Sequence, residues 1–214
     1  MKIKEGQKIV FIGDSITDCG RRGEFAPLGN GYVRFFHHLL QAALPGNRIT
    51  IINKGIGGNT LIDLQIRWQD DVIYHKPDWI SILVGINDEH RVLRKVENWQ
   101  DYTADNFRQR YQEVLAVTKK QLPDCGLVCL EPFYVTTDTG HQWRGLVLEN
   151  LQPYRKVVAE MSEGFGTGLI KLQEIFQEQL RFFEAEQLAP DAVHPAPLGH
   201  MIIAWQLFQY FIAL

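Results

Sequence analysis

Lys8-Ile-Val-Phe-Ile-Gly-Asp-Ser-Ile16 holds four apolar residues in a row and stops abruptly at Gly13-Asp14. An uninterrupted apolar run this short suits a strand buried on both faces, as in a parallel sheet, better than the alternating pattern of a half-exposed strand. Four further runs of the same character lie at 48–53, 79–84, 126–130 and 167–170, and with 8–12 they make five strands.

Helical patterns fill the intervals. Within 104–122, Phe107, Tyr111, Val114, Leu115 and Leu122 recur on one face, with Arg108, Arg110, Lys119 and Lys120 largely elsewhere. Within 172–184, Leu172, Ile175, Phe176, Leu180 and Phe183 do the same, and 30–44, 60–74, 146–162 and 197–213 also read as helices. Strands alternating with helices predict an α/β fold: a three-layer α/β/α sandwich around a five-stranded, mainly parallel sheet. With no repeat, low-complexity tract or linker, residues 1–214 read as one domain.

Composition narrows the function. The chain has 214 residues, 45% hydrophobic and 22% charged, as expected of a globular protein. A formal charge of −3 gives no electrostatic case for nucleic acid or an anionic membrane surface. Cys19, Cys125 and Cys129 form neither an even-numbered disulfide framework nor a paired metal motif, and the last two read as small core residues. The apolar run before Gly13 is too short for a signal-peptide core. The stretch 201–214, interrupted by Gln206 and Gln209, is too short to span a bilayer. The expectation is a cytoplasmic protein with no membrane insertion.

In an open parallel sheet, ligands bind outside the carboxyl ends of the strands, and four polar clusters fall where such loops are expected. Gly13-Asp-Ser-Ile16 follows the first strand and would set Ser15 at the start of a turn or helix; Asp14 or Ser15 could equally be an ordinary cap. Asn53-Lys-Gly-Ile-Gly-Gly-Asn-Thr60 follows the second and could turn backbone N–H groups toward a ligand, or be a flexible turn. Gly85-Ile-Asn-Asp-Glu-His90 follows the third, where Asn87 could offer its amide to a developing oxyanion or simply help start a helix. In Asp191-Ala-Val-His194-Pro195, prolines stiffen the loop and Asp191 can reach back to Nδ1 of His194, leaving Nε2 as a base. No phosphate loop, dinucleotide fingerprint or G-x-S-x-G elbow is present. Each cluster alone is weak; their conjunction is what points to an acyl-transfer site.

Taken together the four clusters resemble the blocks of the SGNH/GDSL hydrolases, in order and over essentially the whole chain, with Ile16 in place of the usual leucine. The resemblance implies a flavodoxin-like fold and a serine esterase without metal or other cofactor. It further implies a triad of Ser15, Asp191 and His194, and an oxyanion hole of the Ser15 N–H, the Gly58 N–H and the Asn87 amide. Asp14, His90 and Arg91 are weaker candidates for substrate contact. Leu28-Gly-Asn-Gly-Tyr32, Asn53-Lys-Gly-Ile56, Arg67-Trp68, Lys76-Pro-Asp-Trp79 and Glu131-Pro-Phe-Tyr134 are similar to a narrower branch of bacterial acetylxylan esterases and carbohydrate deacetylases. Pro190 departs from that branch, whose xylan-active members carry an aromatic residue there. The expected substrate is a small ester, an acetylated sugar or short xylo-oligosaccharide, and the expected assembly a homo-oligomer. A lipid-directed esterase is the alternative, and a non-catalytic binding protein on the same fold a remote one.

Overall fold

The computed structural model describes residues 1–138 and 140–212. In chain order they form β1 (Lys8–Gly13), α1 (Ser15–Asp18), α2 (Tyr32–Ala43), β2 (Thr50–Gly55), α3 (Leu61–Ile66), α4 (Trp68–Asp71), β3 (Trp79–Leu83) and α5 (Ile86–Leu93). There follow α6 (Ala104–Gln121), β4 (Gly126–Leu130), α7 (Gln142–Phe165), β5 (Gly168–Ile170), α8 (Leu172–Gln179), α9 (Ala185–Leu188) and α10 (Pro197–Ile212).

The strands lie in the order β2-β1-β3-β4-β5 and every pairing is parallel. The chain therefore leaves β1 for one edge, returns past it, and builds the other half of the sheet from β3. That reversal puts the topological switch between the carboxyl ends of β1 and β3, where a crevice opens. Register is set by the apolar runs: Val10 pairs with Ile52 on one side and Ile80 on the other.

Both faces of the sheet are covered, which is why the strands read as continuous apolar runs. On one face Phe11 meets Tyr32 and Phe36 of α2 at ring centroid distances of 5.9 and 5.5 Å, and Trp79 meets Phe211 of α10 at 5.1 Å. Replacing a fully buried ring such as Phe11 by alanine would cost about 3–5 kcal/mol. On the other face α6 and α7 pack together through Phe107, Tyr111 and Tyr154.

Several element boundaries differ from the expectation. The helix expected over 60–74 is interrupted at Arg67, whose backbone (φ −98°, ψ 8°) closes α3 and opens α4, and Ile73–His75 continues as a tighter turn. The helix expected over 172–184 stops at Gln179, leaving Phe182 at the surface. The second strand is displaced toward Gly55, because its partners run from Lys8 to Gly13. Of the helix expected over 197–213, Ala213 lies outside the described residues. Two short helices next to the polar loops, α5 and α9, were not expected; polar residues surround most of their length.

Candidate active site

Ser15 is the first residue of α1, directly after β1. Asp14 precedes it as the cap, its Oδ1 accepting the Ile16 N–H at 3.0 Å. Ser15 Oγ lies 2.9 Å from Nε2 of His194, across 179 residues of sequence.

His194 is delivered by the loop between α9 and α10. Ala192 adopts a left-handed conformation (φ 70°) and curls the chain so that Asp191 faces back along it. Asp191 Oδ1 accepts the N–H groups of Val193 and His194 at 3.0 and 2.7 Å, and Oδ2 lies 2.6 Å from His194 Nδ1. Burial pushes the Asp191 carboxyl up, but these hydrogen bonds outweigh it and hold the group below its ordinary value. With the ionised carboxylate taking the Nδ1 proton, Nε2 is left as an acceptor facing the serine hydroxyl. The loop is anchored from outside by the Val135 N–H, which donates to the Ala192 carbonyl at 2.8 Å.

Three groups are candidate oxyanion donors. Neither the Ser15 N–H nor the Gly58 N–H meets an acceptor among the described residues. Gly58 has φ +78° with open space around it, so the backbone angle, not crowding, calls for glycine. Asn87, in the first turn of α5, donates one amide N–H to the Asn59 carbonyl at 3.0 Å and keeps its second. Asp88 ties this turn to the glycine loop by accepting the Leu61 N–H with both oxygens, at 3.0 and 3.2 Å.

Beside the triad opens a cleft of about 350 Å³ lined by Asn87, His90, Arg94, Tyr134, Trp143 and His194, among others. Arg94 stands over the Trp143 ring, 5.6 Å from its centroid. A larger cleft of about 730 Å³, lined by Arg108, Glu131 and Arg155, lies between α6, α7 and α8 and holds none of the triad. Among the described residues no group of three or more His, Cys, Asp or Glu side chains could hold a metal ion, and no helix is long and apolar enough to cross a membrane.

Two of the weaker candidates lie away from this cleft. Asp14 is 1% exposed and faces inward, where it caps α1; burial pushes its carboxyl up to about 7. Arg91 turns away and lies over Tyr102, 5.1 Å from the ring centroid, while Arg94 takes the place in the cleft. Arg94 was missed, although 87, 90 and 94 fall on one face of a helix. His90 does line the cleft, its Nδ1 donating to the Ile86 carbonyl at 2.7 Å.

His200 is a structural partner of the site. Its Nδ1 accepts the Tyr32 N–H at 3.2 Å, which puts the ring proton on Nε2, 3.3 Å from Cys19 Sγ. Burial, followed by the nearby His194, pushes His200 down to about 4, so it is a neutral packing group.

A serine hydrogen-bonded through histidine to aspartate, with free N–H groups at the same edge of a parallel sheet, defines a serine hydrolase. Residues 11–202 match the description of the GDSL-like lipase/acylhydrolase family. The chain is 39% identical over 211 residues to an acetylxylan esterase of Geobacillus stearothermophilus, covering 95% of this chain and 93% of that protein. A crystal structure of that esterase superposes with a TM-score of 0.87 at 38% identity, covering 100% of this chain and 97% of the other. Structures of its catalytic mutants, in which a serine, an aspartate or a histidine is replaced by alanine, match as well. LAE5, an alpha/beta hydrolase enzyme from the metagenome of Lake Arreo, matches with a TM-score of 0.87 at 30% identity, each chain covered in full. The chain belongs to the GDSL-like lipase/acylhydrolase family and is a serine carboxylic-ester hydrolase.

Proposed function

We propose that the chain removes acetyl groups from short acetylated xylo-oligosaccharides or related sugars, with Ser15 as nucleophile. The observation that carries this reading is the continuous series from Ser15 Oγ to His194 (2.9 Å) to Asp191 (2.6 Å) beside a small cleft. His194 Nε2 takes the hydroxyl proton as Ser15 Oγ attacks the ester carbonyl. The tetrahedral oxyanion is met by the Ser15 N–H, the Gly58 N–H and the free N–H of Asn87. Collapse expels the sugar alcohol, which leaves with the proton from Nε2. Water, deprotonated by the same nitrogen, then attacks the acetyl-enzyme and releases acetate.

The cleft favours a sugar over a long acyl chain. His90, Arg94 and Tyr134 can hydrogen-bond hydroxyls, and Trp143 offers an aromatic wall. The likeness to an acetylxylan esterase supports the same substrate class. The enzyme acts, on this reading, as a cytoplasmic homo-oligomer; free Cys19, Cys125 and Cys129 suit a reducing compartment, and exposed Met201 and Trp205 suit self-association.

Labelling with a serine-directed phosphonate and peptide mapping tests the nucleophile, and an adduct on any serine other than Ser15 overturns it. Release of acetate from acetylated xylo-oligosaccharides tests the substrate. Preference for p-nitrophenyl octanoate over the acetate would replace this reading by a lipid-directed one.

A further inference from the structure

We infer that Arg67 is the positioning residue that assembles the oxyanion hole, an inference that rests on the esterase reading above. Its guanidinium makes four hydrogen bonds, each to a different element of the site. Nε donates to Asn59 Oδ1 at 2.9 Å, Nη1 to the Lys54 carbonyl and to Asp71 Oδ2 at 2.7 Å each, and Nη2 to the Gly13 carbonyl at 3.1 Å. The side chain is 14% exposed, and the break between α3 and α4 is what aims it at the ends of the strands.

Every donor of the hole lies within two residues, or one hydrogen bond, of a residue Arg67 holds. Gly13 is two residues before Ser15, at the end of β1. Asn59 is the neighbour of Gly58, and the Asn59 carbonyl is the acceptor that holds the Asn87 amide at 3.0 Å. Gly58 has no side chain with which to fix its own peptide. Its loop is clamped instead at both flanks: Asp18 Oδ2 accepts the Gly57 N–H at 3.1 Å on one side, and Arg67 grips Asn59 on the other.

Arg67 is itself fixed. Asp71 accepts Arg67 Nη1 on Oδ2 and Lys54 Nζ on Oδ1, at 2.7 and 2.9 Å. Burial pushes the Asp71 carboxyl up, but these two cations outweigh it and hold the group ionised. A planar fork can reach several elements at once; an ammonium on a flexible stem cannot. Lysine at this position would keep the charge beside Asp71 and lose the assembly.

The test is steady-state hydrolysis of p-nitrophenyl acetate by Arg67→Lys and Asn59→Ala, with thermal unfolding and kcat/KM against pH measured on each. Arg67→Lys is expected to lower kcat about 10²-fold, the scale of a 1 Å misplacement, with KM nearly unchanged. Its pH profile should match the wild type, because Asp191 and His194 are untouched. Asn59→Ala cuts only the arm to the glycine loop, and a loss of about tenfold is expected. In an Asn87→Ala background Arg67→Lys should cost less than it does alone, since one donor it positions is already gone. Near-wild-type kcat in Arg67→Lys, or activity that merely tracks the folded fraction, overturns the inference; should that variant not fold, unchanged kcat in Asn59→Ala does so. Phosphonate labelling of the wild type keeps the two readings apart. No adduct at Ser15 defeats the esterase assignment, whereas an adduct at Ser15 with a fully active Arg67→Lys defeats only the role of Arg67.

Discussion

Asp191 grips His194 twice, once through the backbone N–H at 2.7 Å and once through the ring Nδ1 at 2.6 Å. Both side chains are more than half exposed, at 58% and 53%. A carboxylate–imidazole hydrogen bond this open to solvent contributes little to stability. Its effect is geometric: one carboxylate shapes the loop with Oδ1 and fixes the imidazole with Oδ2.

Asp191→Asn separates these two effects. The amide oxygen can still accept the backbone N–H groups, but the amide nitrogen then faces Nδ1 and forces the proton onto Nε2. The histidine would present a donor to Ser15 where an acceptor is needed. We expect kcat to fall about 10⁴-fold, as in a comparable triad, with unfolding temperature nearly unchanged. Retention of more than a tenth of wild-type kcat would remove Asp191 from the triad.

Cys19, four residues after the serine, is expected to be inert. Burial first, then Asp18 and Asp14, pushes its thiol up to about 12, and its Sγ is engaged by His200 Nε2 and the Ile16 carbonyl. Thiolate, the reactive form, is scarce at pH 8. Iodoacetamide at that pH should leave esterase activity intact while alkylating the urea-unfolded chain. Carbamidomethylation of native Cys19 with parallel loss of activity would contradict this.

What could be read in advance, and what could not, divides along a physical line. Strands such as 8–12 and 126–130 declare themselves because burial on both faces demands unbroken apolar residues. Ser15, Asn87 and the Asp191–His194 pair stand out as candidates because hydroxyl, amide, carboxylate and imidazole side chains in loops are a residue-type signal, and Gly58 because it sits in a run of glycines. Arg67 is not, since two of its acceptors are the carbonyls of Gly13 and Lys54, which any residue supplies. Nor is the exchange of Arg91 for Arg94, because charged residues surround much of α5 and only its docking against α7 chooses the cleft-facing side.

Asp14 makes stability depend on pH. Burial dominates over the Ile16 N–H and the charge of His194, raising its carboxyl from 3.8 to about 7. A raised acid binds its proton more tightly when folded, so its contribution is complete below pH 3.8 and fades as pH rises through 7. Asp14→Asn caps α1 equally well and cannot ionise. The variant should therefore gain on the wild type between pH 4 and pH 8, by up to about 4 kcal/mol. Denaturant titrations of both proteins at the two pH values measure the gain; a difference that does not change with pH would show that Asp14 is not titrating there.

At Gly55 the sheet approaches the backbone of the nucleophile turn closely. It pairs with Gly13 across β1 and β2, and an added Cβ would fall on the backbone nitrogen of Asp18 and the carbonyl carbon of Thr17. Backbone atoms cannot rotate aside as a side chain can, so α1 must shift and carry Ser15 with it. Gly55→Ala should destabilise the protein by about 1–3 kcal/mol and lower kcat about 10²-fold. Gly164, in α7, is the matched control: nothing lies within 4 Å of its added Cβ. Gly164→Ala should raise stability by about 0.5–1 kcal/mol and leave turnover unchanged. Chemical denaturation and p-nitrophenyl acetate hydrolysis on the two variants decide the matter. Equal behaviour of the pair would mean that the contact between Gly55 and α1 does not set the position of Ser15.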